Sequence, residues 1–142
     1  GKGVDRGAVN GVLVQKMVSG GRETIIGTAF DPSFGPLIMF GLGGIYVEAL
    51  GDVVFRIHPV SDIDAEEMVR GVKGFRLLEG VRGDTGVDLE VIQETIMRVS
   101  QLVGDFPEVA ELDINPFVAF EPGRESMALD ARVLLSEGAD DR

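Results

Sequence analysis

The segment 110–135, AELDINPFVAFEPGRESMALDARVLL, narrows the possible folds more than any other part of the chain. Apolar and polar residues alternate on both sides of a Pro122-Gly123 turn signal, the pattern of a β-hairpin with one buried face. Centred on that turn, the hairpin sets Asn115 opposite Asp130 and Asp113 opposite Arg132. Period two puts Glu111, Asp113 and Asn115 on one face and Leu112 and Ile114 on the other. Directly opposed Cβ atoms lie ~5 Å apart. An amide oxygen and a carboxylate at that spacing can hold a hard cation, since Mg²⁺ typically takes only one or two protein carboxylates besides water and substrate phosphates. The same residues also suit a plain solvated face, with Asp113 and Arg132 as a cross-strand ion pair. Pro116 removes a ladder donor, which predicts an edge or a bulge beside Asn115.

The rest of the chain supplies what this hairpin pairs with and packs on. Gly11–Val18 and Glu23–Asp31 read as strands flanking Ser-Gly-Gly, a tight hairpin connection. Pro36–Phe40 is a third strand after a turn, and GLGGIYVEALGDVVFRIHP predicts two more with Gly51-Asp52 between them. Ser61-x-x-Asp64 is a capping box opening a helix striped by Met68, Val69 and Val72. Residues 71–86 are Gly-rich and loop-like, with room for one helical turn. Thr85-x-x-Asp88 caps a second helix carrying Leu89, Ile92, Ile96, Val99 and Val103, stopped by Gly104 and Pro107. The expected class is α+β: one mostly antiparallel sheet with two helices on a face. It forms a single domain over 1–142, with flexible ends at 1–10 and 136–142.

Composition excludes several functions. The net charge of −11 argues against nucleic acid and against an anionic membrane surface, because both are bound through an excess of Lys and Arg. A small anion such as a nucleotide stays possible where a metal ion offsets the field. Cysteine is absent, so there is no disulfide framework and no thiolate chemistry. No membrane-span-length apolar run and no signal peptide is visible, and a cytoplasmic setting is expected. The chain opens with Gly rather than Met, which points to a piece of something larger.

Taken together, ELDINPF followed by ALDAR resembles the closing hairpin of an ATP-grasp domain of the succinyl-CoA synthetase β type. FGLGGIYVEAL resembles that family's Gly-Gly-x-x-x-Glu segment, and GVLVQKMVSGGRE its adenine-side hinge strand. The likeness is closest to the ADP-forming acyl-CoA synthetases (acetate–CoA ligases) and runs from about Gly11 to Leu134. It implies the C-terminal half of an ATP-grasp fold that binds ATP and Mg²⁺. The N-terminal half, the CoA-binding domain or subunit and the phosphohistidine segment would be partners outside this chain. Asn115 and Asp130 would be the Mg²⁺ ligands. Asp113 matches a position that is Glu in the succinyl enzymes and faces the incoming histidine. Gln15, Lys16, Met17 and Val18 would line adenine, and Glu23 would reach the ribose hydroxyls. Glu48 would sit near the phosphates or beside the metal's ligands. An alternative is a nucleotide-binding regulatory or assembly module, such as the ATP-grasp portion fused to protein acetyltransferases.

Other residues have two readings each. Gly41, Gly43 and Gly44 allow backbone N–H groups to approach a phosphate, or simply make a sharp turn. Arg56 can fork onto phosphate or sit solvated on its strand. GLGGIY lacks the spacing of a dinucleotide fingerprint. His58 matches nothing in the family and reads as a surface or packing residue. Met17, Met39, Met68 and Met97 read as core filler, with Met17 also able to pack on adenine, and Phe30, Phe34 and Phe40 as core.

Overall fold

The structure is a computed structural model that describes residue 7 and residues 10–137, the side chains of Ile45 and Tyr46 apart. Asp31 closes the first hairpin. Its carboxylate accepts hydrogen bonds from the N–H groups of Ser33 (2.7 Å) and Phe34 (3.0 Å), turning β1 (Arg22–Asp31) into β2 (Gly35–Leu42). A helix α1 (Ile45–Leu50) follows, then β3 (Val53–Ile57), α2 (Asp62–Gly71), α3 (Phe75–Glu79) and α4 (Leu89–Asp105). The chain ends in β4 (Val109–Ala119), β5 (Met127–Ala128) and β6 (Ala131–Leu135). Strand order is β3–β2–β1–β4, and β4 shares its far edge between β5 and β6, every pairing antiparallel. This is the expected α+β layout.

Helices α2 and α4 cover one face of the sheet. Ile26, Ile38, Phe40 and Leu112 meet Ala65, Met68 and Val69 of α2 and Ile92, Ile96 and Val99 of α4 in one cluster. In α4 the buried residues Ile92, Ile96, Val99 and Val103 recur at helical spacing, which is why this stretch turns a single face to the sheet. Because Thr24 and Ile26 are turned into the core, period two sends Glu23 and Gly27 to the opposite face.

Four expectations fail, each for a local reason. Residues 11–18 form no strand: both edges of β1 are already paired, to β2 and β4, so no partner is left for a preceding hairpin arm. IYVEAL is the helix α1, not a strand. Gly44 at φ +65° turns the chain off the sheet, and Gly51 at φ +56°, whose N–H donates to Val47 O (3.0 Å), closes the helix as a left-handed cap. Asp88 itself caps α4, accepting from the N–H groups of Glu90 and Val91. Its own N–H is held by Phe120 O (2.7 Å), so the helix cannot start nearer Thr85. Met17, Phe30 and Phe34 are 94%, 70% and 64% exposed and belong to no core. The expected flexible ends lie largely outside the described residues.

The capping box of α2 forms as predicted, with Asp64 N–H on the Ser61 hydroxyl (3.1 Å) and the Asp64 carboxylate accepting from Ser61 N–H (2.9 Å). The Ser61 N–H, then its hydroxyl, hold the Asp64 carboxyl below the usual carboxylate range, the Arg56 charge adding to this and burial opposing it. A depressed carboxyl contributes stability above its unfolded pKa of about 4, lost as pH falls through the lower folded value. Ser61→Ala removes the hydroxyl and keeps the N–H, so it should move the Asp64 titration part of the way upward when followed by carboxyl NMR. An unmoved titration would mean that the hydroxyl does not contribute.

Candidate functional site

The closing hairpin has the predicted register. Asp113 pairs with Arg132 and Ile114 with Ala131, and the Asn115 N–H donates to Asp130 O at 3.0 Å, so Asn115 and Asp130 are directly opposed. Both are exposed, while Leu112 lies buried in the core on the other face of β4. The peptide bond Asn115–Pro116 is cis, and the β1–β4 register shifts between Thr24 and Ile26, beside it. The irregularity forecast by Pro116 is thus a bulge.

Asp113 is half-buried and faces Gly27 across the β1–β4 ladder. A Cβ on Gly27 would come within 2.8 Å of Leu112 O and 3.4 Å of the Asp113 carboxylate, so only glycine leaves that oxygen clear. Among the described residues, the side chains of Asp113, Asn115 and Asp130 make no hydrogen bond or ion pair, and the cross-strand pair of Asp113 with Arg132 does not form. Three oxygen-bearing side chains on one open face therefore have no protein partner. Among the described residues no three Asp, Glu, His or Cys side chains form a metal cage. The donors fit a hard cation that keeps waters and draws its remaining ligands from a bound anion.

A second feature lies at the other end of the same ladder. Glu23 borders a cleft of about 350 Å³ with Arg22, Leu42, Gly43, Gly44 and Leu77. The Gly43 N–H donates to Glu23 O (2.8 Å), and a Cβ on Gly43 would lie 2.9 Å from that of Glu23. Gly41 likewise has no room for a Cβ, which would meet Val53 and Asp52 O. Close backbone approach within the protein thus accounts for both glycines, and the turn accounts for Gly44. Glu23 pairs with Val118, three residues along β4 from Asn115 and beyond the bulge, which places the cleft at most about 10 Å along the strand from the Asn115–Asp130 pair at ~3.3 Å per residue.

Of the predicted adenine-side residues, Gln15, Lys16 and Met17 are exposed and Val18 half-buried, outside any helix or strand. Lys16, Met17 and Val18 border a hollow of about 120 Å³ with Phe120, Arg124 and Met127. The Arg124 guanidinium lies 3.9 Å over the Phe120 ring and donates to Ser19 O at 3.0 Å, which ties this segment to the hairpin. Hollow and cleft are joined by the two residues Ser19 and Gly20.

The remaining candidates sit elsewhere. Arg56 pairs with Ile38 in register, on the helix side, with its guanidinium 3.8 Å from Glu67 and donating to Phe55 O. Strand β3 is four strand spacings from β6, about 19 Å, so Arg56 does not join the hairpin residues. Glu48 is exposed on α1, its N–H on Gly44 O at 3.4 Å. His58 donates from Nε2 to Ser100 O (2.9 Å), a packing role between β3 and α4. Sequence reading missed Gly27, whose only signal is an isolated glycine in an apolar strand, and the buried Asp52.

Comparison with known proteins gives a family match over residues 3–135 to the ATP-grasp domain. The chain is 52% identical over 129 residues to the ADP-forming acetate–CoA ligase I of Archaeoglobus fulgidus, covering 91% of this chain and 18% of that one. It is 49% identical over 127 residues to the ADP-forming 4-hydroxybutyrate–CoA ligase of Nitrosopumilus maritimus, with 89% and 18% covered. Among solved structures, acetyl-coenzyme A synthetase 1 of Ca. Korarchaeum cryptofilum superposes with a TM-score of 0.78 at 43% identity, covering 84% of this chain and 55% of that one. That structure is a complex with coenzyme A and Mg-AMPPCP, its phosphohistidine segment pointing towards the nucleotide binding site. The chain thus spans about a fifth of the two ligases and about half of the synthetase chain.

Proposed function

The chain belongs to the ATP-grasp domain family, and from that premise we propose that it is the Mg-ATP-holding C-terminal part of an ADP-forming acyl-CoA synthetase. The overall reaction would convert an acyl acid, CoA and ATP to acyl-CoA, ADP and phosphate by way of a phosphohistidine. The observation that carries this is the pair Asn115–Asp130, free of protein partners and within about 10 Å along one ladder of the Glu23 cleft. A triphosphate extended from a ribose at Glu23 would reach it.

In this reading the residues divide the work by position. Lys16, Met17 and Val18, with Gln15, receive the base in the hollow beside Phe120. Glu23 accepts from the ribose hydroxyls, and Gly44 lets the chain turn away beside it. Asn115 and Asp130 would hold Mg²⁺, which when bound supplies positive charge against the phosphate oxygens. Asp113 is placed to accept the N–H of an entering imidazole and so fix which ring nitrogen faces the phosphate. Glu48, one helical turn on from Gly44, would approach the phosphates from α1. The N-terminal half, the histidine segment and the CoA-binding domain would be supplied by partners. No helix among the described residues is long and apolar enough to cross a membrane, and we place the enzyme in the cytoplasm.

The acyl acid is chosen elsewhere. Ligases for acetate and for 4-hydroxybutyrate match this chain almost equally, at 52% and 49% identity.

The test is turnover with and without the remaining parts. The 142-residue chain alone should show no CoA-dependent ATP cleavage above a buffer control, and the intact enzyme should show it only with Mg²⁺ or Mn²⁺. Cleavage by the chain alone would overturn the division of labour. Nucleotide binding without turnover in the intact enzyme would favour the regulatory module instead.

A further inference from the structure

We propose that Asp52 is a positioning residue that sets the width of the Glu23 cleft, a role resting on the nucleotide reading of that cleft. Asp52 is 3% exposed and is the one acidic side chain buried among the described residues. It lies at the start of β3, on no wall of the cleft. Yet two of the cleft's walls are tied to it. Its backbone carbonyl accepts from Leu42 N–H at 3.3 Å, just before Gly43 and Gly44. Its carboxylate accepts from Lys73 N–H at 2.6 Å on one oxygen and Gly74 N–H at 2.9 Å on the other, at the entry to α3, which carries Leu77.

The contacts form one continuous chain. The Gly43 N–H donates to Glu23 O and the Leu77 N–H to Gly74 O (2.9 Å), so hydrogen bonds run from Glu23 through Leu42 and Asp52 to Leu77. Packing tightens the same joint: a Cβ on Gly74 would run into Leu42 Cδ1 and lie 3.2 Å from the Asp52 carboxylate. While Asp52 keeps its two amide donors, the entry to α3 stays tied to the strand end at Leu42. An acidic side chain buried at this depth is stable only with such donors. A purely local role, capping the five-residue α3, needs neither the Leu42 bond nor the fit of Gly74 against Leu42.

The experiment uses the intact enzyme with Asp52→Asn and Asp52→Ala, and Glu23→Gln as the reference. Asp52→Asn keeps the shape but leaves one amide without an acceptor, and it keeps the question answerable if the alanine variant does not fold. Expected are a rise of about five- to tenfold in KM for ATP, unchanged KM for the acid and for CoA, and kcat little altered. In hydrogen exchange, segments 41–44 and 73–79 should lose protection together, and the Asp52 and Glu23 effects on KM should be less than additive. The proposal is overturned if all three KM values rise alike, if only the melting temperature falls, or if exchange changes stay within 73–79. Should Glu23→Gln leave the ATP KM unchanged while both segments loosen together, the nucleotide reading of the cleft fails and the link through Asp52 stands.

Discussion

Asp130→Ala in the intact enzyme should weaken Mg-ATP binding by about 100-fold and take the Mg²⁺ dependence of turnover with it. Losing even an outer partner of a metal ligand costs about 10–100-fold, and Asp130 is the one carboxylate directly opposite Asn115. The variant should fold, since Asp130 is exposed and its ladder contact is made by backbone carbonyl, which alanine keeps. Like charges on Asp113 and Asp130 share one face, so removing one should also reduce the stabilisation of the native protein by Mg²⁺ or Mn²⁺. Titrating activity against free Mg²⁺, alongside thermal melts with the ion, measures both. Equal Mg²⁺ responses in the two proteins would mean that Asp130 is not a ligand. Asn115→Ala should weaken the ion less, because a neutral amide oxygen is the poorer donor to a hard cation.

The largest effect on stability is expected at Phe40. Its ring is fully buried where β2 meets α2 and α4, and Phe→Ala in a core removes about 3–5 kcal/mol. Native stability of a single domain is roughly 5–15 kcal/mol, so the variant should lose a large share of it. A fall of roughly 10–15 °C in Tm is the expected reading. A fall of under about 3 °C would mean that the neighbours collapse into the space and that Phe40 is not central to this core.

Where the sequence was legible, one local rule decided the outcome. The alternation around Pro122-Gly123 admits one register, and that register is the observed one. Ser61-x-x-Asp64 is likewise settled within four residues. Where two rules compete, local reading fails. Ile45, Tyr46 and Val47 favour a strand, but a strand needs a neighbour, and a left-handed Gly44 with a closing Gly51 had already made a helix of the segment. Gly11–Val18 has strand composition, but both edges of β1, its expected hairpin partner, are taken. The meeting of Glu23 with Gly43, and of Gly27 with Asp113, depends on how β1 aligns with β2 and β4, which no local pattern states. The same holds for Asp52, whose donors lie more than twenty residues on.

The ladder that separates the Glu23 cleft from the Asn115–Asp130 pair behaves as a ruler. Its length is counted in backbone steps, so side-chain substitution can alter what either end grips but cannot slide one end against the other. On the proposed reading, a nucleotide one phosphate shorter leaves one mark on that ruler untouched, and discrimination between ATP and ADP is a matter of length before it is one of charge. Drift in sequence can retune the choice of base or metal while that measure holds. A single residue inserted in β4 between Asn115 and Val118 would erase it, even in a protein that still folds.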